Sequence, residues 1–163
     1  MSTRINMKQH QYQTTLKWTG NKGTGTSGYR AYERAHEVSV QGKPVILSSS
    51  DPAFRGDPSR YNPEEMLVMS LSSCHMLSFL HMCADAGVIV VDYTDNATGV
   101  MEETANGGGR FTEVVLHPHV VVTDAQMLAK LNDLHHKAHE LCFIAGSCNF
   151  PVKHEATSAV FEG

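Results

Sequence analysis

The stretch NPEEMLVMSLSSCHMLSFLHMCADAG, residues 62–87, decides the fold. Asn62 is a residue type that caps helix N-termini, and Pro63 fits the first helical position, where its missing N–H is no loss. Glu64 and Glu65 complement the positive end of the helix dipole, and Gly87 marks the stop. Between them, Met66, Leu67, Val68, Met69, Leu71, Met76, Leu77, Phe79 and Leu80 make most faces apolar. A helix of that kind belongs in the centre of a fold. Ser70, Ser72, Ser73, His75, Ser78, His81 and Asp85 interrupt the run, which reads as too polar to cross a bilayer.

Working outward toward the N-terminus, a loop with Pro52, Pro58 and Pro63 precedes the helix. Val45–Ser48 opens a short strand behind the Gly42-Lys43-Pro44 turn. The alternation of Tyr32, Arg34, His36, Val38 and Val40 predicts a strand over Tyr29–Val40. Gly20–Gly28 is loop, and Tyr12–Thr19 is a first strand with Trp18 expected inside. Toward the C-terminus, Val88–Met101 and Arg110–Val122 read as strands joined through Asn106–Gly109. Asp124 caps a second helix over roughly Ala125–Leu141, with Met127, Leu128, Leu131, Leu134 and Ala138 at helical spacing. Val152–Phe161 is a last strand. The order β-β-β-α-β-β-α-β is that of an α+β fold.

At 163 residues the chain is expected to be a single domain, 1–163, and its 41% apolar residues suffice for a core without disulfide or metal staples. Only 18% of residues are charged, which points to surface hidden in the fold or in a subunit interface. The net charge of -4 provides no basic field for nucleic acid and no polybasic stretch for anionic lipid. MSTRINMKQHQYQTT lacks the apolar core of a signal peptide, so a cytoplasmic protein without a membrane partner is expected. In such a reducing compartment Cys74, Cys83, Cys142 and Cys148 are not a disulfide framework.

Cys74 stands mid-helix among apolar residues and Cys142 just past the second helix. Each alone reads as a small core residue. Together they suit a peroxidatic thiolate and a resolving thiol, which pass through a sulfenic acid to a disulfide. An apolar thiol ionises only beside a cation or hydrogen-bond donors. Arg30, Arg34, Arg55 and Arg60 precede the helix; Arg34 is favoured, since its predicted strand would aim it, with Arg30 as the alternative. Glu64 reads either as a carboxylate gripping that guanidinium or as a dipole-complementing residue.

Two rival functions share these residues. His135, His139 and Cys142 fall on one helix face, a spacing compatible with a metal, although the three histidines His135, His136 and His139 equally complement a helix C-terminus. A ligand-binding or thiol-sensing module would oxidise without turnover. A Cys74–His75 hydrolase pair is disfavoured because consecutive helix residues point about 100° apart. Gly107–Gly109 lacks the lysine and strand-loop-helix setting of a phosphate loop. Cys83 and Cys148 have no motif around them.

NPEEMLVMSLSSCH, residues 62–75, with Cys74 ten residues after Glu64, resembles the signature of the osmotically inducible protein C / organic hydroperoxide resistance (OsmC/Ohr) family. AHELC, residues 138–142, resembles its Ala-His-x-x-Cys, and the element order matches along nearly the whole chain. Phe143 stands where many members have proline. The resemblance implies an OsmC-like fold, antiparallel sheets around two central helices in an intertwined homodimer with interface active sites. It implies a thiol-dependent peroxidase, needing no cofactor or metal, that reduces organic hydroperoxides with a dithiol as reductant. Cys74 would be peroxidatic and Cys142 resolving, with Arg34 and Glu64 holding the thiolate.

Overall fold

The computed structural model describes residues 7–163; the first six residues of the N-terminal stretch read above lie outside it. The chain divides into two compact units, one up to Glu64 and the other Glu65–Gly163.

The first unit carries an antiparallel sheet in the order β1 (Thr15–Trp18), β2 (His36–Ser39), β3 (Ile46–Ser48). The β2–β3 turn has Gly42 at φ 80°, a conformation that costs glycine little. The second strand begins at His36, not at Tyr29. The guanidinium of Arg34 donates to the carbonyls of Tyr29 and Tyr32, both at 2.7 Å, and that local bonding curls the segment out of the sheet. Trp18 is 40% exposed rather than buried. Its indole Nε1 donates to the Glu33 carbonyl at 2.9 Å, so the polar edge of the ring fixes it at the surface of this unit.

The second unit is built on α1 (Pro63–Asp85), which starts just ahead of it. The helix ends at Gly87, at φ 68°, where Val88 N–H closes back on the Cys83 carbonyl at 2.8 Å. Its buried residues are Leu71, His75, Phe79 and Cys83, an i, i+4 stripe, and not the all-round burial expected. Met69 and Leu77 on other faces are 43% and 63% exposed. By length and composition the helix does satisfy the requirement for a membrane span, contrary to the reading that its serines and histidines exclude one. Its buried stripe packs on the strands described next.

The strands number nine in the described residues because each long predicted strand after α1 is broken in two. They are β4 (Val90–Asp95) and β5 (Thr98–Glu103), β6 (Gly109–Leu116) and β7 (Pro118–Val122), β8 (Val152–His154) and β9 (Thr157–Val160). The two halves of each predicted strand join different sheets, ordered β4-β7-β9 and β5-β6-β8, in which β8 and β9 add parallel to antiparallel pairs. Asp95 holds the break: its carboxylate accepts His117 N–H at 2.7 Å and the Ser72 hydroxyl of α1. Asp124 accepts Gln126 N–H at 2.7 Å and caps a short 3₁₀ turn that leads into α2 (Leu128–Leu141). This is an α+β architecture with two long helices.

Two apolar clusters fill the unit. Phe79 and Cys83 of α1, Leu131, Leu134 and Ala138 of α2, and Val88, Val120 and Val122 form one. Leu71 of α1 with Val114 and Leu116 of β6 forms the other. Cys74 and His75 lie on α1 between the residues that serve each cluster.

Candidate functional site

Helical periodicity turns Cys74 away from the fully buried stripe of α1 and leaves it half-buried, while Cys142 caps the C-terminus of α2 and is 3% exposed. The two side chains share a hydrogen bond, and both thiols are free. Burial first, and then the contact with Cys74, pushes Cys142 up to about 11, against the opposing backbone N–H groups of Ala145 and Ile144. At that value Cys142 is a neutral thiol at pH 7. Apolar side chains beside the pair in sequence stand in the open: Leu77 on α1, Leu141 at the end of α2, and Phe143 at 83% exposure.

Arg34 and Glu64 belong to the first unit. The Arg34 guanidinium lies between the Tyr29 and Tyr32 rings, 4.4 and 4.2 Å from their centroids, on top of its two carbonyl bonds. It is fixed by a loop rather than by a strand. Arg30 is exposed. Glu64 Oε2 is buried without a hydrogen-bond partner, and among the described residues no ion pair joins Glu64 to Arg34. The structure thus brings Cys74 and Cys142 together and leaves one Glu64 oxygen open for a further donor.

The sequence reading missed a cluster of imidazoles in the second unit. His75 and His135 are each 1% exposed, and His75 Nε2 hydrogen-bonds His135 Nδ1 at 3.0 Å. The His135 ring also stacks on Phe79 with centroids 3.9 Å apart. His154 of β8 lies 5.4 Å from the His75 ring and 5.8 Å from that of His135, with His136 at 5.1 Å and His139 at 5.9 Å from it. Burial holds His75 down to about 4, helped by His154 and His139 and opposed by Asp95. Burial holds His135 down to about 3, helped by His75, His154 and His136. Both are neutral at pH 7, so His135 does not complement the helix dipole as a cation; the expectation fails because the ring faces inward. The metal reading of His135, His139 and Cys142 also loses its basis. His135 is bonded to His75, Cys142 to Cys74, and among the described residues no three His, Cys, Asp or Glu side chains are placed to hold an ion. The available signal was the position of His75 at i+4 from Leu71 and i−4 from Phe79.

Cys83 is buried in the first cluster and held up to about 11 by that burial, an inert core thiol. Cys148 is half-buried against the second cluster.

Comparison with known proteins agrees with this architecture. None of the curated proteins matches the sequence. An OsmC-like protein of unknown function from Vibrio cholerae O1 biovar eltor str. N16961 is 36% identical, with 91% of this chain and 99% of that one covered, at a TM-score of 0.81. An organic hydroperoxide resistance protein of Elizabethkingia anophelis is 18% identical over 94% of this chain and 100% of its own, at 0.66. The organic hydroperoxide resistance protein OsmC of Legionella pneumophila is 18% identical over 93% of this chain and 100% of its own, also at 0.66. At that identity the last two show a common fold. Residues 56–157 match the family model described as OsmC-like protein. The chain belongs to the OsmC-like protein family.

Proposed function

We propose that this protein is a thiol-dependent peroxidase that reduces organic hydroperoxides to alcohols. The observation that carries the reading is the hydrogen-bonded pair of free thiols, Cys74 half-buried and Cys142 buried, each delivered by its own helix. In this reading the Cys74 thiolate attacks the distal oxygen of ROOH. The O–O bond breaks, the alkoxide takes a proton and leaves as ROH, and Cys74 becomes a sulfenic acid. The Cys142 sulfur then attacks Cys74, the S–O bond breaks, and the departing hydroxide takes a proton to become water. A dithiol reduces the resulting disulfide.

The open apolar side chains Leu77, Leu141 and Phe143 suit an alkyl tail, or a second copy of the chain, better than hydrogen peroxide. Relatives named for organic hydroperoxide resistance support the same substrate class. Arg34 stabilises the thiolate and Glu64 orients it, in an intertwined, cytoplasmic homodimer; the open face of α1 and the unpartnered Glu64 oxygen support that assembly. The test is consumption of cumene hydroperoxide and, separately, of hydrogen peroxide with dihydrolipoamide, for wild type and Cys74→Ser. Cys74-dependent loss of the organic peroxide is expected. A folded protein with free thiols that turns over neither peroxide overturns the proposal.

A further inference from the structure

We propose that the His75–His135 hydrogen bond is a clasp that sets the direction of α2 across α1, which makes His75 and His135 positioning residues for the Cys74–Cys142 disulfide. The inference rests on the peroxidase reading for the use of that disulfide, though not for its formation.

Two polar bonds join the helices, one between thiols and one between rings, and they leave each helix in a different pattern. Cys74 and His75 are consecutive on α1, so their side chains point about 100° apart around its axis. His135 and Cys142 are two turns apart on α2, which puts them on one face and about 10 Å apart along its axis. Joining consecutive residues of one helix to residues two turns apart on the other draws α2 across α1 rather than along it. Ala138 lies between His135 and Cys142 on α2 and is fully buried in the cluster that holds Phe79 and Cys83 of α1.

The apolar contacts of that cluster supply adhesion without direction. A thiol pair that closes to a disulfide needs direction, because the two Cα atoms must lie within about 4.4–6.8 Å at a set dihedral. One bond leaves α2 free to pivot about it, and two bonds at separate points do not. The ring pair is built for the second point. Its nitrogens are 3.0 Å apart, its centroids 5.3 Å and its planes 3° apart, so the imidazoles lie end to end nearly in one plane with the hydrogen bond along that line. Phe79, stacked on His135 at 3.9 Å, holds that plane. Both rings are 1% exposed, and His75 Nδ1 and His135 Nε2 are buried without a partner. Two apolar side chains would fill the space without stranding those nitrogens, so packing does not account for the pair.

Two substitutions separate the bond from the stacking. His135→Phe keeps a ring against Phe79 and loses the bond. His135→Asn loses the ring and keeps a polar atom where Nδ1 stands, able to donate or accept. Wild type and variants, their fold checked by circular dichroism, are equilibrated with mixtures of reduced and oxidised dithiothreitol. The share of chains with the Cys74–Cys142 disulfide is read by alkylation and peptide mass spectrometry. His135→Phe is expected to lower the equilibrium constant for the disulfide by about tenfold or more, and His135→Asn by no more than about threefold. A phenylalanine variant with the wild-type constant, or an asparagine variant that falls as far as the phenylalanine one, overturns the clasp. Where either fails to fold, the same comparison is made from α1 with His75→Leu against His75→Gln, whose amide nitrogen takes the place of Nε2. A wild type that forms no Cys74–Cys142 disulfide overturns the clasp and the peroxidase reading together. One that forms it but consumes no hydroperoxide overturns the peroxidase reading alone.

Discussion

Lowering the pH from 8 to 5 is predicted to remove a large part of the protein's stability, and the cause is the buried histidine pair. Free imidazole protonates near 6.5, whereas burial brings His75 down to about 4 and His135 to about 3. The unfolded chain therefore binds protons that the folded chain refuses. Stability is at its full value above pH 6.5 and falls as the pH drops through the window from 6.5 to 4 for His75, and on to 3 for His135. At about 1.36 kcal/mol per pH unit, the ~1.5 units below 6.5 cost each ring about 2 kcal/mol at pH 5 and the pair about 4 kcal/mol. That is a large part of the 5–15 kcal/mol typical of a domain, as an order of magnitude. The assay is urea unfolding followed by circular dichroism at pH 8 and pH 5, for wild type and the double variant His75→Gln, His135→Gln. The amides do not titrate, so the variant should lose less stability than wild type between the two pH values by about 4 kcal/mol. Equal losses in both proteins refute the argument.

Three further outcomes follow from the same geometry. Cys142→Ser should consume one equivalent of hydroperoxide and stop, leaving a Cys74 sulfenic acid trapped by dimedone and visible by mass spectrometry. Phe79→Ala removes a fully buried ring stacked on His135 and should cost about 3–5 kcal/mol in chemical denaturation, since Cys83, Val120 and Leu134 of the same cluster are themselves packed and cannot close the void. The proposed role of Arg34, which the geometry does not supply, has its own test: if its charge stabilises the thiolate, Arg34→Ala slows alkylation of Cys74 at neutral pH by on the order of tenfold; an unchanged rate moves the role to Arg30.

Much of this was legible in the chain. The helix that carries Cys74 is bounded by residues whose backbone chemistry is local, Pro63 and Gly87, and local chemistry survives into the fold. The breaks between β4 and β5 and between β6 and β7 were not legible, because Asp95 holds them through bonds to His117 and Ser72, residues distant in sequence. Tyr29–Arg34 alternates like a strand, yet a single guanidinium finding two nearby carbonyls outweighs the pattern. The histidine cluster was hidden for a different reason. His75 and His81 sit on the same helix six residues apart; one is 1% exposed and bonded to a second ring, the other lies in solvent beside Asp85 at 3.4 Å. Composition cannot tell them apart, and only the apolar spacing of Leu71 and Phe79 around His75 offers a hint. The thiol pair was reached through resemblance of two motifs, since nothing in spacing alone brings residue 74 to residue 142.

The two apolar clusters on either side of Cys74 and His75 also bear on how the molecule breathes. A single large core opens all at once or not at all, whereas two small ones are separate cooperative units. Amides of β6 around Val114 and Leu116 and amides of α2 around Leu131 and Ala138 then exchange with independent protection. Cys74 and His75 stand on α1 between the two sets, so that a polar side chain there interrupts neither.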